Sequence, residues 1–198
     1  MRKRSSAELL PATQRLLAEA EIILGKLKTR CALGGAAGMA LRGHSRATKD
    51  LDVYASPDGA GEVVGAFRRA GWEIDSSLEP FLYRARPRWA KDEATGVDLM
   101  FPYEPQDLFA IATASRVGGT SVLVFSGLGL ALTKVYSDQP RHEDDFKAMA
   151  RAGIFSMEGI RAVLQPRDKE GLATAERWFA EAAPRKKYDG NRPSRWRK

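Results

Sequence analysis

The feature that most constrains the fold is a short apolar run that ends in two glycines and is followed by a strand carrying two acids. Residues 31–33 are apolar and stop at Gly34 and Gly35, and residues 36–43 return to a composition that favours helix. Leu51, Val53 and Tyr54, around Asp50 and Asp52, then suggest a second strand. The pattern predicts a strand, a tight turn, a helix and a second strand, the beginning of an α/β unit.

The rest of the chain switches between the periods of strand and helix. Short apolar runs bounded by turn residues predict strands over 72–75, 81–86, 97–101 and 121–125. Apolar side chains at helical spacing predict helices over 13–28, 58–70, 142–151, 156–164 and 168–182, with one more after Glu104 and one that Ser126 caps. We therefore expect an α/β (α+β) fold, a small mixed sheet flanked by helices with a helical C-terminal part.

The expected division of the chain follows this layout. Residues 1–125 would form the sheet-bearing domain with its N-terminal helix, residues 126–183 a helical C-terminal part, and residues 184–198 a basic flexible tail. No stretch is long and apolar enough to span a membrane, and no signal-peptide pattern follows the basic start, which predicts a cytoplasmic protein. A single cysteine, Cys31, excludes an intramolecular disulfide and fits that location.

The charge balance favours a polyanionic partner. The chain has 32 Lys and Arg against 25 Asp and Glu, a net charge of +7, and such an excess is typical of proteins that bind nucleic acid or nucleotides. Much of the excess lies in the tail, where cations are interleaved with Tyr188 and Trp196. These cations are Arg185, Lys186, Lys187, Arg192, Arg195, Arg197 and Lys198. The tail either follows an RNA backbone or is a solvated segment with no specific partner.

Three acids indicate a site for a divalent cation. Asp50 and Asp52 stand two residues apart on a strand, so their side chains leave the same face and can share one cation. Asp98 lies inside another apolar strand, where an unpaired carboxylate is costly without a metal or a cation. Mg²⁺ or Mn²⁺ suits such oxygen ligands, and three acids on neighbouring strands are able to hold two ions. Surface and turn carboxylates share this spacing, so the spacing alone leaves the role open.

The glycine pair gives the acids a context. Glycine removes the side-chain obstacle to a close approach of phosphate, and a helix N-terminus favours an anion, so Gly34 and Gly35 are candidate nucleotide-binding residues. An ordinary tight turn is the alternative for the pair taken alone. Arg46 and Thr48 lie just before the acids and are candidates for contacting the nucleotide or holding the loop.

The segments Leu33 to Gly35 and Arg46 to Val53 together resemble the signature of the minimal nucleotidyltransferases of the DNA polymerase beta superfamily. The resemblance is greatest to the bacterial group that includes the nucleotidyltransferase toxins of toxin-antitoxin and abortive-infection systems. It covers residues 32–152 and implies transfer of a nucleoside monophosphate from an NTP. It also implies that the two acids of the second strand are catalytic metal ligands and that Asp98 is a third.

A later segment resembles the lysine helix and the arginine-acid helix of those toxins. It comprises Leu132 to Tyr136, then Arg141 and the pair Asp144 and Asp145. The resemblance implies that Lys134 binds the triphosphate as a point charge and that Arg141 orients a phosphate or an acidic partner. Either Asp144 or Asp145 would be the catalytic acid, and both stay open. The alternative for Lys134 and Arg141 is that they are solvated helix charges.

These features together predict a nucleotidyltransferase that depends on an NTP and on Mg²⁺ or Mn²⁺. RNA, in particular a tRNA end, is the expected acceptor because of the basic tail. The resemblance adds a role as a toxin with a cognate antitoxin protein. Two alternatives stay open: the same chemistry on a protein or a small molecule, and a binding or antitoxin protein that keeps the fold with weak catalysis.

Overall fold

The computed structural model of the protein describes residues 9–44, 47–79, 81–136 and 139–182. Arg46 and the basic tail 184–198 lie outside the described residues, so the predictions made for them stay predictions. Within the described part, no helix has the length and apolar character that crossing a membrane requires.

Helices and strands alternate along the first two thirds of the described chain, and the last third is helical. The helices are α1 Pro11–Leu24, α2 Gly35–Leu41, α3 Ala60–Arg69, α4 Pro105–Ala112, α5 Gly127–Val135, α6 Pro140–Arg151, α7 Met157–Leu164 and α8 Lys169–Ala182. The strands are β1 Cys31–Leu33, β2 Asp50–Ala55, β3 Glu73–Glu79, β4 Leu82–Arg86, β5 Gly96–Met100, β6 Ser115–Arg116 and β7 Leu123–Val124. A 3₁₀ turn at Pro57–Gly59 precedes α3.

The described strands form one mixed sheet in the order β3-β4-β5-β2-β1-β7-β6. β2 is parallel to β5 and antiparallel to β1, and β1 is parallel to β7. β2 is therefore the central strand of this order, between β5 and β1. This arrangement confirms the expected α/β fold with a mixed sheet flanked by helices.

The two faces of the sheet are covered by different helices. One hydrophobic cluster joins α1 and α3 to one face, with Leu16 and Phe67 fully buried. A second cluster is formed by the five helices α4, α5, α6, α7 and α8 on the other side, and it contains Ala32 of β1. Tyr54 of β2 packs against this second cluster. Because side chains alternate along a strand, every second residue of β2 faces the helical C-terminal part.

The alternation along β2 decides where the acids lie. Leu51, Val53 and Ala55 are buried, and the side chains between them, those of Asp50 and Asp52, leave the opposite face and are partly exposed. The hydrophobic core therefore fixes the direction of both carboxylates, since a one-residue slip would place the acids in the core.

The structure departs from the predicted elements at the edges of the sheet. The strand predicted over 121–125 is only two residues long, and it pairs with β6, which the sequence pattern does not indicate. β6 consists of two exposed residues, so it has no apolar period to detect. β3 extends to Glu79, beyond the predicted 72–75, and Glu79 pairs with Leu82 of β4 after a register shift.

Candidate active site

The glycine turn brings β1 and the acid strand into direct contact. The backbone N–H of Gly34 donates to the carbonyl of Asp52 at 2.9 Å. Gly35 has φ +52°, in the left-handed region, and a Cβ there would lie 1.6 Å from Oδ2 of Asp52. A side chain at Gly35 is thus excluded both by backbone strain and by the carboxylate. The Asp52 carboxylate therefore lies directly against the start of α2, where only a glycine leaves it room.

The second glycine of the pair is required for a different contact. A Cβ on Gly34 would lie 2.6 Å from the ring of Tyr54. That ring packs against Phe125, with 4.7 Å between ring centroids. Because Gly34 has no side chain, Tyr54 and Phe125 can pack against each other at the end of β1.

The three predicted acids lie on neighbouring strands. Asp52 of β2 and Asp98 of β5 are direct cross-strand partners, and Asp98 is in turn the partner of Arg84 in β4. Cross-strand partners project from the same face of a sheet. Asp50, two residues before Asp52, shares this face, and its own partner is Gly96, which has no side chain. The structure thus brings the acids together as predicted, and it adds an arginine to the row.

Two of the carboxylates have close partners within the chain. The Thr48 hydroxyl donates to Oδ1 of Asp50, and Nη1 of Arg84 donates to Oδ1 of Asp98 at 2.6 Å. The carbonyl of Thr48 accepts a hydrogen bond from the fully buried hydroxyl of Thr13 at 2.5 Å. Thr48 therefore holds the loop before β2 and orients the first acid.

Asp50, Asp52 and Asp98, called the acid row below, bring three negative charges together on one face of the sheet. Burial, followed by the charges of Asp50 and Asp98, raises the pKa of Asp52 to about 6, against the opposing effect of Lys134 and Arg141. Burial also raises the pKa of Asp98, although Arg84 opposes this. Raised carboxyl pKa values are the expected result when like charges share a partly desolvated site. The acid row is therefore a site that a cation would stabilise.

The predicted cations come from the helical part. Lys134 of α5 is buried, and its Nζ lies 3.5 Å from Oδ2 of Asp145 in α6, with 6% of each side chain exposed. Arg141, in the first turn of α6, is exposed but close enough for its charge to act on Asp52. Of the two acids left open by the sequence, Asp145 is the one packed against Lys134, whereas Asp144 is exposed.

Two carboxylates of the acid row, those of Asp50 and Asp52, suit a hard divalent cation. In the part of the chain that the structure describes, no group of three His, Cys, Asp or Glu side chains forms a complete metal cage. Asp50 and Asp52 nevertheless offer two carboxylates on one face, and Mg²⁺ is commonly held by one or two carboxylates completed by phosphate oxygens and water. The residues therefore fit an ion that arrives with a triphosphate.

Sequence reasoning did not identify Arg84 or Thr13 as residues of the site. Arg84 lies in the strand Leu82–Arg86, where an alternating arginine looks like a solvent-facing strand residue. Thr13 is one polar residue of an amphipathic helix. Only the pairing of β4 with β5, and the packing of α1 near the loop before β2, give these residues their contacts.

A cavity of 610 Å³ is lined by residues from the end of α5, the start of α6 and α8. Val135 and Pro140, the chain neighbours of Lys134 and Arg141, are among them. Its polar and aromatic lining consists of Tyr136, Gln139, Glu143, Asp168, Glu170, Thr174 and Trp178. The charged side chains of this lining are acidic, in contrast to the net positive charge of the whole chain.

Comparison with known proteins identifies the fold. The antibiotic-resistance factor ANT(2'')-Ia aligns with a TM-score of 0.56 at 13% identity, over 87% of this chain and 96% of that chain. A nucleotidyltransferase-like protein from Paracoccidioides brasiliensis aligns with a TM-score of 0.56 at 17% identity, over 87% and 88% of the two chains. The lincosamide antibiotic adenylyltransferase LnuA aligns with a TM-score of 0.52 at 13% identity, over 72% and 98%.

These similarities define the class to which the architecture belongs: the chain has the nucleotidyltransferase fold. At such low identities the likeness extends to the fold and not to the substrate. No protein-family model and no curated protein matches the sequence.

Proposed function

We propose that this protein is a nucleotidyltransferase that moves a nucleoside monophosphate from an NTP to an acceptor hydroxyl. The observation that carries the proposal is the contact between Gly35 and the Asp52 carboxylate. At this contact the Asp52 carboxylate lies against the start of α2. The positive charges of Lys134 and Arg141, which come from the helical part, act on the same carboxylate. An anionic row faced by cations is the arrangement that binds a metal ion together with a triphosphate.

The reaction needs little covalent chemistry from the protein. The acceptor oxygen forms a bond to the α-phosphorus, the bond from that phosphorus to the bridging oxygen of the β-phosphate breaks, and pyrophosphate and a proton leave. Asp50 and Asp52 would hold Mg²⁺ or Mn²⁺, which neutralises phosphate charge when bound. Residues 1–125 would supply these acids and the glycine turn, and residues 126–183 the cations. The role of Asp98 as a third ligand stays a prediction.

The remaining predicted residues bind or orient the nucleotide in this proposal. Lys134 would contact the triphosphate and Arg141 would orient a phosphate, because both act on the charge of the acid row. Asp145 would position Lys134 through their ion pair. Thr48 would act by holding Asp50 rather than by contacting the nucleotide. The direct contacts proposed for Gly34, Gly35 and Arg46 rest on the family resemblance.

RNA is the acceptor that the charge of the chain favours. The net charge of +7 and the seven cations of the tail suit a phosphate backbone, and Tyr188 and Trp196 suit stacking on unpaired bases. With a tRNA end as acceptor, the protein would have the activity of a toxin that a cognate antitoxin restrains, as the resemblance implies.

A small-molecule acceptor is the second candidate, and the cavity between the end of α5, the start of α6 and α8 favours it. A volume of 610 Å³ is that of a typical small-molecule site. Its acidic lining would repel an RNA backbone but attract an acceptor that carries amino groups. LnuA is described as an adenylyltransferase of lincosamide antibiotics, and ANT(2'')-Ia has been solved with adenylyl-2''-tobramycin. Neither description extends to this chain without an experiment.

The proposal is tested by incubating the full chain with each α-³²P-labelled NTP, Mg²⁺, and either total cellular RNA, total protein or a panel of hydroxylated amines. We expect label to move to one acceptor class, with release of pyrophosphate, and Asp52→Asn to remove the signal. No transfer from any NTP to any acceptor would overturn the proposal and favour a binding protein of the same fold.

The RNA acceptor has a separate test in a chain that ends at Ala183. Removing the tail should weaken RNA binding and make log affinity depend less steeply on log salt, because fewer counterions are released. Anisotropy titrations of both chains at several salt concentrations measure this change. An unchanged affinity and slope would leave the small-molecule acceptor as the leading candidate.

A further inference from the structure

Asp98 occupies the middle of a charged row that crosses three strands. Its direct partner on one side is Asp52 of β2, and its direct partner on the other side is Arg84 of β4. The row therefore runs acid, acid, cation on one face of the sheet. A central acid in such a row can share a metal ion with Asp52 or pair with Arg84, and the structure has it paired with Arg84.

The guanidinium of Arg84 is fixed at two points. Nη1 lies 2.6 Å from Oδ1 of Asp98, and Nη2 donates to the carbonyl of Ala94, also at 2.6 Å. The ion pair is mostly shielded, with 19% of the arginine and 17% of the aspartate side chain exposed. Gly96 leaves the space that this conformation needs, since a Cβ there would lie 3.3 Å from Nε of Arg84.

We propose that Arg84 takes the cation position beside Asp98, so that the active site takes up a single divalent ion, at Asp50 and Asp52. The inference rests on the proposed function, because the ion is expected to arrive with the NTP. A guanidinium keeps its charge at any physiological pH, and it repels a second ion from the carboxylate it contacts. Arg84 is a positioning residue in this account: it neutralises the third acid and holds it beside Asp52.

The consequence is a site that differs from a full three-acid metal centre. With Asp98 neutralised, the two acids of β2 carry the charge that the ion has to balance. Replacing Arg84 with a neutral residue should release Asp98 and create room for a second ion.

The test counts ions rather than turnover. The full chain is titrated with Mn²⁺ in the presence of a non-hydrolysable NTP analogue, and free Mn²⁺ is followed by electron paramagnetic resonance. Arg84→Gln removes the charge, and Arg84→Lys retains it. Arg86→Gln is the matched control, because Arg86 lies on the same strand but pairs with exposed Glu73 at 3.4 Å.

We expect about one Mn²⁺ per bound nucleotide in the wild type, in Arg84→Lys and in Arg86→Gln, and about two in Arg84→Gln. Two ions in the wild type would overturn the inference and leave the proposed function standing. One ion in Arg84→Gln would overturn it as well. A wild type that binds neither Mn²⁺ nor nucleotide would overturn the proposed function together with this inference. The wild-type count is decisive even if Arg84→Gln does not fold.

Discussion

The acid row on the sheet and the cations on α5 and α6 are held in place in different ways. Asp50 and Asp52 are placed by strand alternation, by a glycine turn and by backbone pairing between neighbouring strands. Lys134 is placed by the packing of two helices and by one ion pair with Asp145. The sheet side is therefore rigid and intolerant of added volume, whereas the helix side depends on a buried charge balance. Substitutions on the sheet side and substitutions on the helix side should therefore reduce activity or stability for different reasons.

The largest effect is expected at the glycine turn. Gly35→Ala introduces a Cβ at 1.6 Å from Oδ2 of Asp52, so the carboxylate has to move. We expect nucleotide transfer to fall by about 100-fold or more, because a misplacement of about 1 Å can cost that much. The left-handed backbone of Gly35 adds a stability cost of about 1–3 kcal/mol. Pyrophosphate release and thermal unfolding measure the two effects.

Gly43→Ala is the matched control for this substitution. Gly43 also has a positive φ, +90°, but among the described residues no atom beyond its chain neighbours lies within 4 Å of the place where a Cβ would stand. It should therefore show the loss of stability without the loss of transfer. Equal losses of transfer in both variants would show that backbone strain, and not the position of Asp52, explains the effect.

On the helix side, a substitution of Lys134 should lower the stability of the fold more than it lowers the rate of nucleotide transfer. Lys134→Met removes the lysine from its buried ion pair with Asp145, and breaking such a pair costs about 3 kcal/mol. We expect a lower unfolding temperature and a raised KM for NTP. Lys147→Met is the control, since Lys147 pairs with Glu143 and Glu181 nearer the surface.

The double variant Lys134→Met with Asp145→Asn separates the two roles of the lysine. Removing both charges should restore most of the stability, because no buried charge is left without its partner. NTP binding should stay weak if Lys134 contacts the triphosphate. Recovery of a wild-type KM for NTP in the double variant would reduce Lys134 to a structural residue.

The smallest effect concerns Asp107, in the first turn of α4. Burial, and then the nearby charge of Glu104, raises its pKa to about 6. The folded state therefore binds more protons than the unfolded state between about pH 4 and pH 6, and the free energy of unfolding falls as pH rises through that window. Asp107→Asn should be more stable than the wild type by about 1 kcal/mol at pH 7.5 and equal to it near pH 3.5.

The exposed Asp58 provides the control for this pH effect. Asp58→Asn makes the same chemical change at an exposed position after β2, so it shows how much of the difference comes from replacing a carboxylate with an amide. Denaturant titrations at several pH values make the comparison. A difference between Asp107→Asn and the wild type that does not vary with pH would contradict the assignment to this carboxyl.

The sequence predicts those parts of the fold and of the candidate site that depend on local properties of the chain. The glycine pair and the alternation of residues 50–54 indicate the turn, β2 and the shared face of the acids, because strand period and glycine conformation are local properties. Ser126 is a second local success, since its hydroxyl accepts a hydrogen bond from the backbone N–H of Gly129 as an N-cap does. These features need no knowledge of the partners across the sheet.

Arg84 and the choice between Asp144 and Asp145 could not be predicted from such local signals. Arg84 becomes part of the site only because β4 pairs with β5 in a register that sets it opposite Asp98. Asp145 lies against Lys134 because α6 packs on α5, whereas Asp144, one residue away on the helix, is exposed. Strand register and helix packing are tertiary properties, and a single sequence does not encode them in a readable period.

The central claim, that the acids on β2 support metal-dependent nucleotide transfer, is tested most directly with Asp50→Asn and Asp52→Asn. Each change keeps the size of the side chain and removes the negative charge that would hold the ion. The measurement is Mg²⁺-dependent pyrophosphate release by these variants and the wild type, with circular dichroism as the control for folding. We expect each variant to keep a native spectrum and to lose about 100-fold or more of the transfer rate. A wild-type rate in either variant would contradict the account.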